Sequence, residues 1–98
     1  MNYTQEEIVS FVLSLLRKYH AEQAILFGSY GRNDAGPMSD IDLIIMGGPL
    51  FDPTDIFALA DDLHRTTGKD VDVYELCEIN QDSDFYRTIL EEGVRIAA

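Results

Sequence analysis

The chain has 98 residues, 46% of them hydrophobic and 26% charged, which is the balance of one small soluble domain (1–98) and not of a disordered chain. No apolar run approaches the roughly 18 residues of a membrane span, and the polar, acidic start Met1-Asn2-Tyr3-Thr4-Gln5-Glu6-Glu7 predicts no secretory signal, so a cytoplasmic protein is expected. The net charge of −11, split −3 through residue 50 and −8 beyond it, leaves no basic stripe for a phosphate backbone, so direct nucleic-acid binding is not expected, whereas a basic protein partner would suit it.

The first element is a helix. Thr4-Gln5-Glu6-Glu7 has the form of a capping box, with Thr4 as cap and Glu7 reaching back. Ile8, Phe11, Val12, Leu15, Leu16 and Tyr19 then fall on one helical face, over roughly residues 5–19. Ala24-Ile25-Leu26-Phe27 is a short buried strand that Gly28 ends. Residues 29–39 are polar, with Gly31, Gly36 and Pro37, and predict a helical turn followed by a loop. Ile41 to Met46 is a second strand, broken by Gly47-Gly48-Pro49. Asp52-Pro53 predicts a helix start, with Asp52 as cap, Pro53 in the first helical position and Phe51 stapled on Ile56. That helix is expected to bury Ile56, Phe57, Leu59, Ala60 and Leu63 and to end at Gly68. Val71 to Leu76 is a third strand. Asp82-Ser83 opens a last helix carrying Phe85, Ile89 and Leu90, and after Gly93 the residues Val94 to Ala97 can add an edge strand. This order predicts an α/β (α+β) fold, a small mixed sheet with helices packed on it.

Three Asp-x-Asp pairs occur: Asp40/Asp42, Asp70/Asp72 and Asp82/Asp84. In so acidic a chain most such pairs are solvated turns or caps, and Asp82/Asp84 fits that description. Asp40 and Asp42 open an apolar strand, so alternation puts both carboxylates on one face and Ile41, Leu43 and Ile45 on the other. Two adjacent carboxylates repel, and a hard divalent cation such as Mg²⁺ relieves the repulsion. Asp72, between Val71 and Val73, joins them if the third strand lies beside the second, and a carboxylate in mid-strand is costly without a partner. Asp70 is expected to be solvated. Upstream, Gly28-Ser29 follows a strand and precedes a turn, where N–H groups and the Ser29 hydroxyl could hold a phosphate and Arg32 could add a charge-assisted contact. On its own Gly-Ser after a strand is weak evidence, and an ordinary turn is the default reading.

Gly28-Ser29, ten residues, then Asp40-x-Asp42 resembles the signature of the polymerase-β-like nucleotidyltransferases. Gly28-Ser29-Tyr30-Gly31-Arg32, Ser39-Asp40-Ile41-Asp42-Leu43, Gly68-Lys69-x-Val71-Asp72-Val73 and Ile89-Leu90-x-x-Gly93-Val94 resemble the MNT group, the minimal nucleotidyltransferases, over nearly the whole chain. Asn33 departs from the glycine that members often carry after the arginine. The resemblance implies the polymerase-β-like fold, two Mg²⁺ ions on Asp40 and Asp42, and Asp72 completing the catalytic metal's sphere and helping to deprotonate the attacking hydroxyl. It also implies Gly28 and Ser29 on the β- and γ-phosphates of a nucleoside triphosphate.

Other residues are weighed on simpler grounds. Tyr30 could stack on a base but is better read as a surface or packing residue. Lys69 is either a phosphate contact or a solvated turn lysine. His20 reads as a charge at a helix C-terminus, His64 as a surface or partly packed residue, and Cys77 as a small buried apolar residue with no disulfide partner. Leu50 and Phe51 could form a partner patch, with the staple preferred. Relatives that act on tRNA ends or small molecules carry large acceptor domains, which a 98-residue chain does not accommodate. The resemblance therefore implies an Mg²⁺- and ATP-dependent protein adenylyltransferase, an antitoxin that modifies a tyrosine on a helical HEPN toxin. The alternatives are a catalytic subunit for a small-molecule acceptor bound by a separate chain, and a binding antitoxin without activity.

Overall fold

The computed structural model describes residues 2–76 and 79–98, and the expectation for Cys77 lies outside them. The elements, in chain order, are α1 (Gln5–Lys18), β1 (Gln23–Phe27), α2 (Gly28–Gly31), β2 (Ile41–Met46), α3 (Asp55–Thr67), β3 (Val71–Glu75), α4 (Asp84–Glu92) and β4 (Val94–Ala97). The strands form one mixed sheet in the order β3-β2-β1-β4. β1 is antiparallel to β2 and to β4, while β2 and β3 run parallel. The expected α/β architecture is therefore present, with each expected helix and strand in place.

Period-two burial sorts the sheet into two faces. On one, Ala24, Leu26, Ile41, Leu43 and Ile45 pack with Ile8, Val12 and Leu16 of α1 and Leu59 and Leu63 of α3. On the other, Ile25, Phe27 and Ile44 pack with Ile89 of α4. The second cluster is much the smaller, so that face is only partly covered. The α1 cap is the reciprocal box that the sequence implies: Glu7 N–H donates to Thr4 Oγ1 at 3.1 Å, and Thr4 N–H donates to Glu7 Oε1 at 3.0 Å.

The start of α3 differs from expectation. Asp52 accepts from Thr54 N–H and Oγ1–H at 3.0 and 2.8 Å, which closes a turn of its own, and the helix begins at Asp55. Local side-chain bonding to a residue two positions on competes with helix entry, so the Asp52-Pro53 signal marks the turn before the helix. Phe51 and Ile56 do share the main core, as the staple requires. Phe57 is 78% exposed and Ala60 is only half-buried, because the core takes the stripe Ile56, Leu59 and Leu63. Leu50 is exposed beside the buried Phe51. β3 ends at Glu75, one residue short of expectation.

Candidate active site

The site lies at one end of the β1–β2–β3 segment, on the sparsely covered face. In the parallel ladder Asp42 stands directly beside Asp72, and in the antiparallel ladder Phe27 pairs with Asp42. Register thus sets the Asp42 and Asp72 carboxyl groups side by side on the same face. Asp42 is half-buried, and its carboxyl is held above the ordinary carboxylate range. Burial is the first cause, followed by the charges of Asp72 and Asp40 and the hydrogen bond to Asp72, while Arg32 opposes the shift. Of the expected cluster of Asp40, Asp42 and Asp72, the ladder brings Asp42 and Asp72 side by side, and the Asp40 charge reaches Asp42 from just before the strand. Asp40 and Asp72 are both exposed. For Asp72 this corrects the expectation of a costly mid-strand carboxylate: β3 is an edge strand, and its polar face is open to solvent. Asp70 is exposed, as expected, and its carbonyl accepts from Ile41 N–H at 3.0 Å, which registers the starts of β2 and β3. Among the described residues no three His, Cys, Asp or Glu side chains are gathered into a metal-holding group. The pair Asp42/Asp72, with Asp40 standing off, is what the backbone brings together.

Gly28 turns the chain out of β1 with φ +66°, and a Cβ there would overlap Asp42 Oδ2. No other residue satisfies both demands, a left-handed backbone and contact with the carboxylate. Ser29 follows at the start of α2, whose leading N–H groups have no acceptor within the helix. The Gly28-Ser29 turn therefore sits directly against Asp42. Arg32 is exposed; its Nε is 3.2 Å from Asp34 Oδ2 and its Nη1 is 3.8 Å from Glu92 Oε2. These solvent-exposed pairs are weak, so Arg32 remains available to an anion beside the turn. Asn33 has φ +61°. The left-handed region explains why glycine suits this position, and asparagine is among the few other residues that adopt it readily. Asn33→Gly is expected to shift stability by less than about 0.5 kcal/mol, whereas the β-branched Asn33→Val is expected to cost about 1–2 kcal/mol, read from urea unfolding midpoints.

Beside Gly28 a small cavity is lined by Phe27, Arg32, Phe85, Thr88, Ile89 and Glu92, and Phe85 packs edge-on against Phe27 at 5.9 Å between ring centres. Nothing in the spacing of the sequence marks Phe85 as part of this surface; its helical face places it there. Tyr30 is 1% exposed, which settles it as packing. Lys69 is 7% exposed and so is not a solvated turn lysine. His64 Nδ1 lies 2.7 Å from the Lys69 carbonyl at the end of α3. His20 follows α1 with φ +60°.

A strand-turn unit thus stands against the half-buried Asp42, which a parallel ladder sets beside the exposed Asp72. A family model described as polymerase beta, nucleotidyltransferase matches residues 12–98. The chain belongs to this nucleotidyltransferase family. It is 35% identical over 95 residues, 91% of this chain and 93% of the other, to a candidate protein adenylyltransferase of Methanocaldococcus jannaschii. Two solved structures share the nucleotidyltransferase fold at lower identity. One is a toxin–antitoxin with AMP-PNP, with a TM-score of 0.72 and 23% identity over 90% of this chain and 71% of that one. The other is a tri-AMPylated HEPN toxin of Shewanella oneidensis in complex with an MNT antitoxin, with a TM-score of 0.68 and 22% identity over 94% and 71%. Among the described residues no helix of this nucleotidyltransferase is long and apolar enough to cross a membrane.

Proposed function

We propose that this nucleotidyltransferase moves AMP from ATP to a hydroxyl of a partner protein, a tyrosine of a helical HEPN-type toxin, and acts as its antitoxin. The observation that carries the reading is Asp42, set directly against Gly28 of the Gly28-Ser29 turn and paired across the ladder with Asp72. The similarity to a candidate protein adenylyltransferase supports the transfer, and the fold shared with an antitoxin bound to an AMPylated toxin supports the partner class.

The donor set fits Mg²⁺: hard carboxylate oxygens, two of them adjacent, in a site open to solvent. Held by Asp40, Asp42 and Asp72, two such ions would neutralise the triphosphate and stabilise the attacking and leaving oxygens of an in-line displacement. The chain's own groups do the rest. The Gly28-Ser29 turn and the Ser29 hydroxyl bind the β- and γ-phosphates, and Arg32 adds positive charge beside them. Asp72, on the open edge strand, is reached from solvent and receives the proton of the incoming hydroxyl. The acceptor oxygen bonds to the α-phosphorus, the α–β bridge bond breaks, and pyrophosphate leaves. The charge of −11 favours association with a basic surface and makes its rate fall with salt.

The test is co-expression with the product of the neighbouring gene, followed by intact-mass measurement of both chains. An AMP-sized increment on the partner, lost with Asp40→Ala or Asp72→Ala, is the expected result. A complex without an increment, whose partner is still neutralised by those variants, would identify a binding antitoxin. With no complex formed, transfer to a small-molecule acceptor would be the better account.

A further inference from the structure

Lys69, read from the sequence as a phosphate contact or a solvated turn lysine, is a buried lysine whose ammonium is bonded to backbone carbonyls of its own chain. Its ammonium donates to Pro37 O at 3.1 Å and to Ser39 O at 3.0 Å, and it lies 5.6 Å from the centre of the Tyr30 ring. Its backbone N–H donates to Thr67 Oγ1 at 3.2 Å, while Thr67 Oγ1 donates to Leu63 O at 2.8 Å. Among the described residues it takes part in no ion pair. A buried ammonium without a carboxylate is expensive to keep, and two carbonyls and one ring face are what offset that cost here.

Lys69 and its partners belong to the three segments that carry the candidate site. Tyr30 follows Ser29 in the phosphate turn. Pro37 and Ser39 lead into Asp40, and Ser39 is its immediate neighbour. Lys69 itself leads into β3 and Asp72. These segments are far apart in sequence, and the loop at residues 36–40 has few backbone bonds of its own: Ser39 N–H donates to Gly36 O at 3.1 Å, and Gly36 N–H donates to Ser39 Oγ at 2.9 Å. We propose that Lys69 is a positioning residue, which clamps the 37–39 backbone between the Tyr30 turn and the start of β3 and so fixes where Asp40 stands relative to the Asp42/Asp72 pair. The catalytic consequence of this placement rests on the function proposed above; the clamp itself does not.

The experiment compares wild type, Lys69→Met and Lys69→Arg, each first shown to be folded by its thermal melt. Amide exchange is followed at Ser39 and Ile41, with Ile25 and Leu26 of β1 as reference, and Mg·ATP binding is followed by calorimetry. Lys69→Met should speed exchange at Ser39 and Ile41 by at least about tenfold beyond any change at Ile25 and Leu26, the scale of a lost charged hydrogen bond. It should also weaken Mg·ATP by about tenfold or more, and Lys69→Arg, which restores donors and charge, should recover most of both. A purely stabilising lysine would alter all four amides together. If Lys69→Met does not fold, Lys69→Gln, which keeps one amide donor, is read in the same way. Exchange at Ser39 and Ile41 that follows the β1 amides, or Mg·ATP affinity unchanged in a folded variant, overturns the proposal. Selective exchange in a protein whose wild type does not bind Mg·ATP upholds the clamp and overturns only the proposed function.

Discussion

Asp42→Asn is expected to reduce nucleotide transfer by more than about a hundredfold, since even residues that merely support a metal ligand cost 10- to 100-fold when changed. The fold should survive and gain slightly. Asp42 is half-buried beside Asp72 and within reach of the Asp40 charge, and its folded pKa is raised, so ionising it opposes folding. The sign follows from linkage: between the unfolded value and the raised folded value, the native state binds more protons and stability falls as pH rises. At pH 7 the full penalty applies, and the amide removes it. The gain in the thermal midpoint should therefore be largest near neutrality and shrink as pH falls through the raised pKa toward the unfolded value. Solvent screening keeps it below about 1 kcal/mol. Melts of both proteins across pH 3–7, with transfer assayed at pH 7, check both halves. Full activity in the Asp42→Asn variant would remove Asp42 from the chemistry, and a lower midpoint at pH 7 would make it a structural residue.

Gly28→Ala should damage the fold and the site at once. The φ of +66° costs a residue with a Cβ about 1–2 kcal/mol, and that Cβ overlaps the Asp42 carboxylate in addition. For a domain of this length each kcal/mol lowers the midpoint by roughly 4–8 °C. The loss should be smaller in the double variant Gly28→Ala/Asp42→Ala, because the truncated side chain no longer meets the new methyl group. Melts of the two singles and the double measure that coupling. Additive losses would show that Gly28 matters for its backbone alone, with no role in fitting the turn against Asp42.

Much of the framework could be read from residue patterns because local and global preferences agree there. The Thr4/Glu7 box, the stripe of Ile8, Val12 and Leu16, and the alternation of Ile41, Leu43 and Ile45 each point to one structure, and each is realised. The family resemblance carried by Gly28-Ser29 and Asp40-x-Asp42 also pointed to the turn and the carboxylate that lie against one another. What could not be read depends on neighbours remote in sequence. The exposure of Asp72 follows from β3 lying at the sheet edge. Phe57 is left outside because α1 and α3 fill the core with other side chains. The carbonyls that receive the Lys69 ammonium lie 30 and 32 residues away. A lysine between a left-handed glycine, Gly68, and a strand start was the available hint, and it could not name those partners.

The edge position of β3 has a consequence for how the protein fails when heated. β1 and β2 each have a strand on both sides, but β3 has only β2 as a strand neighbour and carries Asp72. Edge elements open at lower free energy than the centre of a sheet. The carboxylate pair can thus come apart while α1, β1 and β2 remain packed. Thermal inactivation and loss of the fold become separate events: transfer would fade several degrees before the core melts, and cooling would restore it without any refolding of the chain.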